Sequence, residues 1–188
     1  DLINLYGGWG FEGQKNKVNL HKGIYINDSK TGNSSNRHNP FFLLKTKDTT
    51  YNYGDAYSFN LIYSGNHYEM IEVSSFNEVR IQTGINPYCF KYELKENDTF
   101  ETPYSVMTYS NQGINKTSQN MHNFIKTNIL RKDINAPILI NNWEATYMRF
   151  KENNLHSIIK NAKNLGLEMF VLDDGWFGRR TDDTKGLG

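Results

Sequence analysis

The chain has 188 residues, of which 37% are hydrophobic, 22% are charged and 14% are aromatic, and its formal net charge is +1. This composition is typical of a globular protein with one domain or parts of two. The 21 basic residues are scattered along the chain, so the sequence predicts no nucleic-acid-binding surface. No stretch approaches about 18 consecutive apolar residues, and the sequence therefore predicts no membrane-spanning helix.

Residues 1–130 are predicted to be β-structure. Segments of about four to eight residues, rich in Tyr, Phe, Ile and Val, recur between clusters of Gly, Asn, Asp and Ser. Tyr57, Phe59 and Leu61 alternate with smaller or polar residues, which is the period of a half-buried strand. The spacing of roughly ten residues per strand predicts a large antiparallel sandwich. The expected strands are Phe41–Leu44, Ala56–Tyr63, Tyr68–Ser74, Glu78–Thr83, Cys89–Leu94 and Ser105–Tyr109.

The cysteine and histidine content limits the chemistry. The single cysteine, Cys89, has no partner for an internal disulfide, which favours a reducing compartment and predicts a cytoplasmic location. Its neighbours Tyr88 and Phe90 predict a small buried side chain rather than a nucleophile. The histidines lack the spacing of metal ligands, and no glycine-rich phosphate loop occurs, so we expect neither a metal nor a cofactor.

The pattern changes at Pro137 to that of an α/β domain. Ile138–Ile140 is a short apolar run, as expected of a strand buried on both faces. A helix is predicted over 151–165, ending at Gly166, because apolar residues recur at intervals of three and four positions. Leu167–Leu172 predicts a second strand. The apolar positions of the helix are Leu155, Ile158, Ile159, Ala162 and Leu165.

Aromatic and acidic side chains follow these two predicted strands. Trp143 follows the first, and Asp173 and Asp174 follow the second, in the segment VLDDGWFG that also contains Trp176. In a β–α–β unit both strand ends lie on one face, the face where barrel enzymes have their active sites. Carboxylates bind sugar hydroxyls strongly, so the sequence predicts a sugar site. The alternatives are a turn or surface salt bridge for the acids, core packing for Trp143 and loop packing for Trp176.

The paired acids are expected to bind substrate rather than to catalyse. Retaining glycosidases place two carboxyl groups about 5–5.5 Å apart on opposite sides of the scissile bond. Adjacent side chains of a strand diverge to opposite faces, so Asp173 and Asp174 do not easily straddle one bond. A closed barrel needs about 250 residues, so we expect residues 137–188 to form only its start.

Six stretches match one enzyme family, in order along the whole chain. They are DLINLYGGWG (1–10), SSNRHNPF (34–41), FNLIYSGN (59–66), FETP (100–103), LINNWEATYMRF (139–150) and VLDDGWFG (171–178). With these stretches the chain resembles the bacterial α-galactosidases of glycoside hydrolase family 36. The resemblance implies part of an N-terminal β-supersandwich over 1–130, followed over 137–188 by the first βαβ unit of a TIM (β/α)8 barrel.

The resemblance also implies a function and a set of substrate-binding residues. Trp143 would line a galactose pocket, Asp173 and Asp174 would bind galactose hydroxyls, and Trp9 would reach a substrate site across a subunit interface. The nucleophile and the acid/base, both aspartates, would lie beyond Gly188, so we expect the chain alone to be inactive. The whole protein would be a retaining α-galactosidase that cleaves terminal non-reducing α-D-galactose from melibiose and raffinose, without a cofactor, and would be a homotetramer.

Two alternative functions stay open, and Trp9 has two interpretations. The first alternative is a non-catalytic carbohydrate-binding module, although a β–α–β unit is foreign to such a sandwich. The second is a related glycosidase or transferase, such as an α-N-acetylgalactosaminidase, because a fold does not fix the substrate. Packing of Trp9 in the sandwich core is favoured over sugar contact, since the family pattern W-x-R-E-R is WGFEG here, with Phe11 and Gly13 in place of arginines.

Overall fold

A computed structural model describes residues 1–131 and 135–186 of the chain. The chain divides into two compact units, Asp1–Arg131 and Lys132–Gly188. The first unit is rich in β-strands, and the second combines strands with helices. Within the described part of the chain, every helix is too short or too polar to cross a membrane.

The first unit contains two antiparallel sheets. One has five strands in the order β2-β1-β4-β5-β8, and the other has three in the order β3-β6-β7. The predicted antiparallel β-domain is therefore confirmed. The strands are β1 (Leu2–Tyr6), β2 (Gln14–Val18), β3 (Gly23–Asp28), β4 (His38–Lys45), β5 (Ala56–Leu61), β6 (His67–Val73), β7 (Val79–Ile85) and β8 (Ser105–Ser110).

The core of this unit lies between the two sheets. Leu2, Phe42 and Phe59 come from the five-stranded sheet and pack with Ile71 of the three-stranded sheet. Phe42 and Phe59 are partners across β4 and β5, and their rings stack with centroids 4.7 Å apart. Burial of each such side chain stabilises the fold by roughly 1.5–3 kcal/mol. The alternation of apolar and polar residues along the strands therefore determines which side chains form the core.

The predicted strand Cys89–Leu94 is wrong. Residues 88–104 form an irregular segment between β7 and β8, and Cys89 is exposed with a φ of 54°. The prediction of a buried Cys89 is therefore also wrong. The physical reason is that the aromatic residues of this segment pack on one another, with Tyr92 and Phe100 ring centroids 4.6 Å apart, rather than on a sheet.

A helix occupies part of the region predicted as β. Helix α1 (Ile114–Phe124) continues into a π-helical turn at Ile125–Ile129. It packs on β5 and β8, where the Asn120 Nδ2 donates to Thr108 Oγ1 at 2.9 Å. The helix is rich in Asn, Ser and Thr, which have modest helix propensity. Packing against the sheet, rather than sequence preference, therefore stabilises it.

The second unit contains the predicted β–α–β arrangement. Strand β9 (Leu139–Asn141) lies parallel to β10 (Met169–Val171), and Asn141 is opposite Val171. Helix α2 (Trp143–Thr146) and helix α3 (Glu152–Asn164) connect them. The expected burial of the first strand on both faces is not found among the described residues: Leu139 is 52% exposed and Ile140 is only partly buried.

Candidate functional site

The parallel pairing of β9 and β10 brings their carboxyl ends to one edge. Asn141, Asn142 and Trp143 lie at the end of β9, and Asp173 and Asp174 follow β10. Asn142 N–H donates to the carbonyl of Val171 at 3.3 Å, which extends the strand pairing by one residue. The structure therefore places the end of each strand beside the other, as the sequence predicted.

Two asparagine amides hold Asp173 from the neighbouring strand. Asn141 Nδ2 donates to Asp173 Oδ2 at 2.6 Å, and Asn142 Oδ1 accepts the Asp173 N–H at 2.8 Å. Asn142 is fully buried, and its Nδ2 donates to Thr146 Oγ1 at 2.9 Å. Both the backbone and the carboxylate of Asp173 are thereby fixed. These two asparagines were not among the predicted site residues, although the sequence has an Asn-Asn pair at the end of one strand and an Asp-Asp pair at the end of the next.

Asp174 is held by a guanidinium. Arg180 Nε donates to Asp174 Oδ1 at 2.8 Å and to Oδ2 at 3.0 Å, and Nη2 donates to Oδ2 at 2.7 Å. The Gly175 N–H adds a hydrogen bond to Oδ1 at 2.7 Å. These donors, Arg180 foremost, lower the pKa of the Asp174 carboxyl below its ordinary value, against the opposing effect of desolvation. Asp174 is therefore ionised at neutral pH.

A glycine turn gives this segment its shape. Gly175 has a φ of +95°, a conformation that favours glycine. A Cβ at this position would lie 2.8 Å from the Met148 Cα. The turn thus brings the backbone close to the chain after α2 and directs the following residues past the two acids.

The acids line a cavity together with aromatic side chains. The cavity has a volume of about 630 Å³, and its wall includes Asp173, Asp174, Trp176, Phe177 and Arg180. The Trp176 side chain is 63% exposed, and its ring meets that of Phe177 edge-on at 5.3 Å. Ionised acceptors beside an exposed aromatic ring can bind the hydroxyls and the apolar face of a sugar.

Trp143 lines a second cavity in the same unit. This cavity has a volume of about 460 Å³ and is also lined by Tyr147, Asp182 and Asp183. Trp143 is half-buried, and its ring meets that of Tyr147 edge-on at 5.4 Å. Its backbone N–H donates to Asn141 Oδ1 at 2.7 Å. Asn141 therefore contacts both Trp143 and Asp173, which line the two different cavities.

Trp9 lies in the first unit and is 96% exposed. The favoured prediction that it packs in the sandwich core is wrong. The Phe11 N–H donates to the Gly8 carbonyl, and the Gly10 N–H donates to the Glu12 carboxylate, both at 2.9 Å. These bonds form a tight turn that projects the indole into solvent beside a cavity of about 330 Å³.

Two family models match this chain and show the family to which it belongs. The family model of the Glycosyl hydrolase family 36 N-terminal domain matches residues 1–95, and that of Melibiase matches residues 99–188. The chain belongs to glycosyl hydrolase family 36. The two matches follow each other along the chain, as expected for a β-domain followed by the start of a catalytic domain.

Curated relatives of this family 36 chain are α-galactosidases. Alpha-galactosidase Mel36A of Lactobacillus acidophilus is 47% identical, and alpha-galactosidase AgaA of Geobacillus stearothermophilus is 44% identical. Each alignment includes 100% of this chain and 26% of the relative. The chain thus spans about a quarter of the length of the curated relatives it matches.

Solved structures of family 36 have the same fold. The crystal structure of AgaA from Geobacillus stearothermophilus matches with a TM-score of 0.94 at 43% identity, over 100% of this chain and 26% of that chain. A variant of AgaA in complex with stachyose gives the same TM-score and identity, and covers 27% of that chain. Another variant, in complex with raffinose, matches 97% of this chain with a TM-score of 0.92 at 42% identity, over 26% of that chain.

Proposed function

We propose that this chain is part of a retaining α-galactosidase that releases terminal non-reducing α-D-galactose from oligosaccharides such as melibiose and raffinose. One observation carries the proposal: two carboxylates at the end of β10 are fixed by hydrogen bonds beside the exposed ring of Trp176. The names of the relatives and the sugars bound by AgaA variants support the substrate class.

In this proposal Asp173 and Asp174 bind galactose and do not catalyse. A general acid needs a raised pKa, whereas the pKa of Asp174 is lowered by Arg180. The Asp174 N–H donates to Asp173 Oδ1 at 2.7 Å, so a single turn holds both acids. Hydrolysis would then use aspartates outside residues 1–188, and the chain alone would be inactive.

The tryptophans complete the proposed site. Trp176 would stack on the apolar face of the sugar, and Trp143 would form the wall of an adjoining part of the pocket. Trp9, exposed on a turn of the first unit, would contact substrate in a homotetramer; that contact and the tetramer follow from the family resemblance. A cytoplasmic location is also proposed, because the only cysteine of the sequence is exposed and has no partner for an internal disulfide.

To test this proposal, the complete reading frame that contains this chain is expressed and the protein is purified. It is assayed with nitrophenyl derivatives of α-galactose, β-galactose, α-glucose and α-N-acetylgalactosamine, beside the variants Asp174→Ala and Glu152→Ala. We expect selective cleavage of the α-galactoside, a loss in Asp174→Ala and little change in Glu152→Ala, since Glu152 is an exposed residue of helix α3.

Other results would redirect the proposal in defined ways. Cleavage only of the α-N-acetylgalactosaminide would change the proposed substrate class but would still identify the protein as a glycosidase. Binding of galactose without cleavage of any substrate would favour a binding module. Full activity in Asp174→Ala would contradict the role given to the acids.

A further inference from the structure

Arg180 is buried although its neighbours in sequence are exposed. It is 9% exposed, whereas Arg179 and Thr181 on either side are exposed. Burial of a guanidinium is costly unless its donors are paired. In Arg180 all three guanidinium nitrogens donate hydrogen bonds. The acceptors are Asp174 Oδ1, Asp174 Oδ2, the Asp182 carbonyl and the Lys185 carbonyl.

These contacts connect the walls of the two cavities. Nε and Nη2 bind Asp174, which lines the first cavity, at 2.7–3.0 Å. Nη1 donates to the carbonyls of Asp182 at 2.8 Å and Lys185 at 2.7 Å, and Asp182 lines the second cavity. We infer that Arg180 is a positioning residue: it fixes Asp174 for sugar binding and ties it to the loop of residues 182–185. The inference rests on the proposed function.

The hydrogen bonds also leave different numbers of free acceptor positions on the two acids. A carboxylate has about four acceptor positions. Those of Asp174 are nearly filled, because Oδ1 accepts from Arg180 Nε and the Gly175 N–H, and Oδ2 accepts from Nη2 and shares Nε. Asp173 accepts only from Asn141 Nδ2 and the Asp174 N–H within the described ranges. Asp173 therefore has about two positions left for hydroxyls, and Asp174 offers about one, whose direction Arg180 sets.

Lysine cannot replace this arrangement. A guanidinium is a planar fork that can bind a carboxylate through two nitrogens and still present a third. An ammonium keeps the charge but lacks the fork. The variant Arg180→Lys therefore separates the contribution of charge from that of geometry.

The other charged groups near Asp174 leave Arg180 as its partner. Asp182 is paired with Lys185 at 2.9 Å, so that lysine is engaged elsewhere. Asp183 is exposed, and Asp173 is itself an acid. Removal of Arg180 would therefore leave Asp174 beside acids and without its cation, and the pKa of its carboxyl would rise.

The test uses the complete reading frame with Arg180→Met, Arg180→Lys and the matched control Arg179→Met, whose arginine is exposed. kcat and KM are measured with nitrophenyl α-galactoside across the acid pH range. Thermal unfolding of each variant is measured over the same range. We expect Arg180→Met to raise KM about tenfold or more, the order for weakening a hydrogen bond to a charged group. kcat should change less, since the contact holds substrate and transition state alike.

The pH profile separates positioning from a purely structural role. Asp174 must be ionised to bind, so a rise in its pKa moves the acid limb of kcat/KM to higher pH in Arg180→Met. Arg180→Lys should return this limb toward that of the wild type while KM stays raised. A lower unfolding temperature with unchanged KM and pH profile would assign Arg180 a structural role and overturn the inference.

The outcomes also separate this inference from the proposed function. Wild-type protein that neither cleaves α-galactosides nor binds galactose in calorimetry would overturn both. Active wild type, with Arg180 variants that behave like Arg179→Met, would overturn the inference alone. If Arg180→Met does not fold, Arg180→Lys decides on the same measurements: wild-type KM would contradict the need for a fork.

Discussion

Two carboxylates, one in each unit, are held in opposite ways. Asp174 has a side chain that is 26% exposed, and Arg180 binds it. Glu69 on β6 is fully buried in the sandwich and accepts a hydrogen bond from Asn27 Nδ2 at 2.5 Å, while its Oε1 has no partner among the described residues. Burial raises the pKa of Glu69 to about 8, whereas Arg180 lowers the pKa of Asp174. A carboxylate in a protein is thus charged only where donors replace the lost water.

The surroundings of Glu69 give it a structural role. Asn27, on β3, also donates to the Asn39 carbonyl on β4 at 3.0 Å and accepts from Asn4 Nδ2 on β1 at 3.1 Å. A protonated Glu69 therefore belongs to a polar seam between the two sheets. Asp174, by contrast, lies at a strand end where its charge faces a cavity.

Loss of the charge of Asp173 has the largest expected effect. In the complete reading frame, Asp173→Asn should lower kcat/KM on α-galactoside at least about a hundredfold, because two hydrogen bonds to a charged group contribute roughly 1.5–3 kcal/mol each. Steady-state kinetics measure this, with Glu152→Gln as the control at an exposed position of helix α3 in the same unit. An equal loss in both variants would contradict a specific role for Asp173.

Glu69→Gln should remove a pH dependence of stability. The folded pKa is raised from 4.5 to about 8, so the folded chain binds more protons and its stability falls as pH rises between these values. The fall from pH 4.5 to pH 7 amounts to roughly 3 kcal/mol. Urea unfolding of the chain at several pH values measures it. Glu69→Gln should flatten the curve, and Glu78→Gln, an exposed control, should not. A wild-type curve flat over this range would show that Glu69 finds a partner.

Asn142→Ala should have a smaller effect than Asp173→Asn or Glu69→Gln. It removes the acceptor of the Asp173 N–H and the donor to Thr146 Oγ1, and an unsatisfied buried group costs about 1–3 kcal/mol. We expect weaker substrate binding together with lower thermal stability, measured by KM and by the unfolding temperature. Asn141→Ala, which leaves the Asp173 N–H bond intact, is the companion variant. Unchanged values for Asn142→Ala would mean that the turn holds Asp173 without the amide.

Lys185→Met should have the smallest effect. Its Nζ pairs with Asp182 at 2.9 Å, but the lysine side chain is 63% exposed, and exposed pairs contribute roughly 0–1 kcal/mol. The Lys185 contact with Arg180 is through the backbone carbonyl, which the substitution keeps. KM within about twofold of the wild type is expected, in line with this small energy. A rise as large as that of Arg180→Met would mean that the loop depends on the Lys185 side chain.

The sequence by itself determined the β-domain, the β–α–β unit and the position of the paired acids. Each depends on short-range pattern: alternation around Phe59, three- and four-residue spacing over 151–165, and two acids directly after an apolar run. Segments that lack such a pattern were missed. Helix α1 is polar and is stabilised by packing on the sheet, and Cys89 has apolar neighbours that pack with each other in an irregular segment.

Only the tertiary structure decided which groups hold the acids and which acid is buried. Asn142 reaches Asp173 from 31 residues away, and Glu69 meets Asn27 from 42 residues away. Arg180 is near Asp174 in sequence, but Arg179 is the same residue type one position earlier, and the fold alone buries one and exposes the other. The physical reason is that a residue's period along the chain gives its face, whereas its charge state and hydrogen bonds depend on atoms that arrive from other elements.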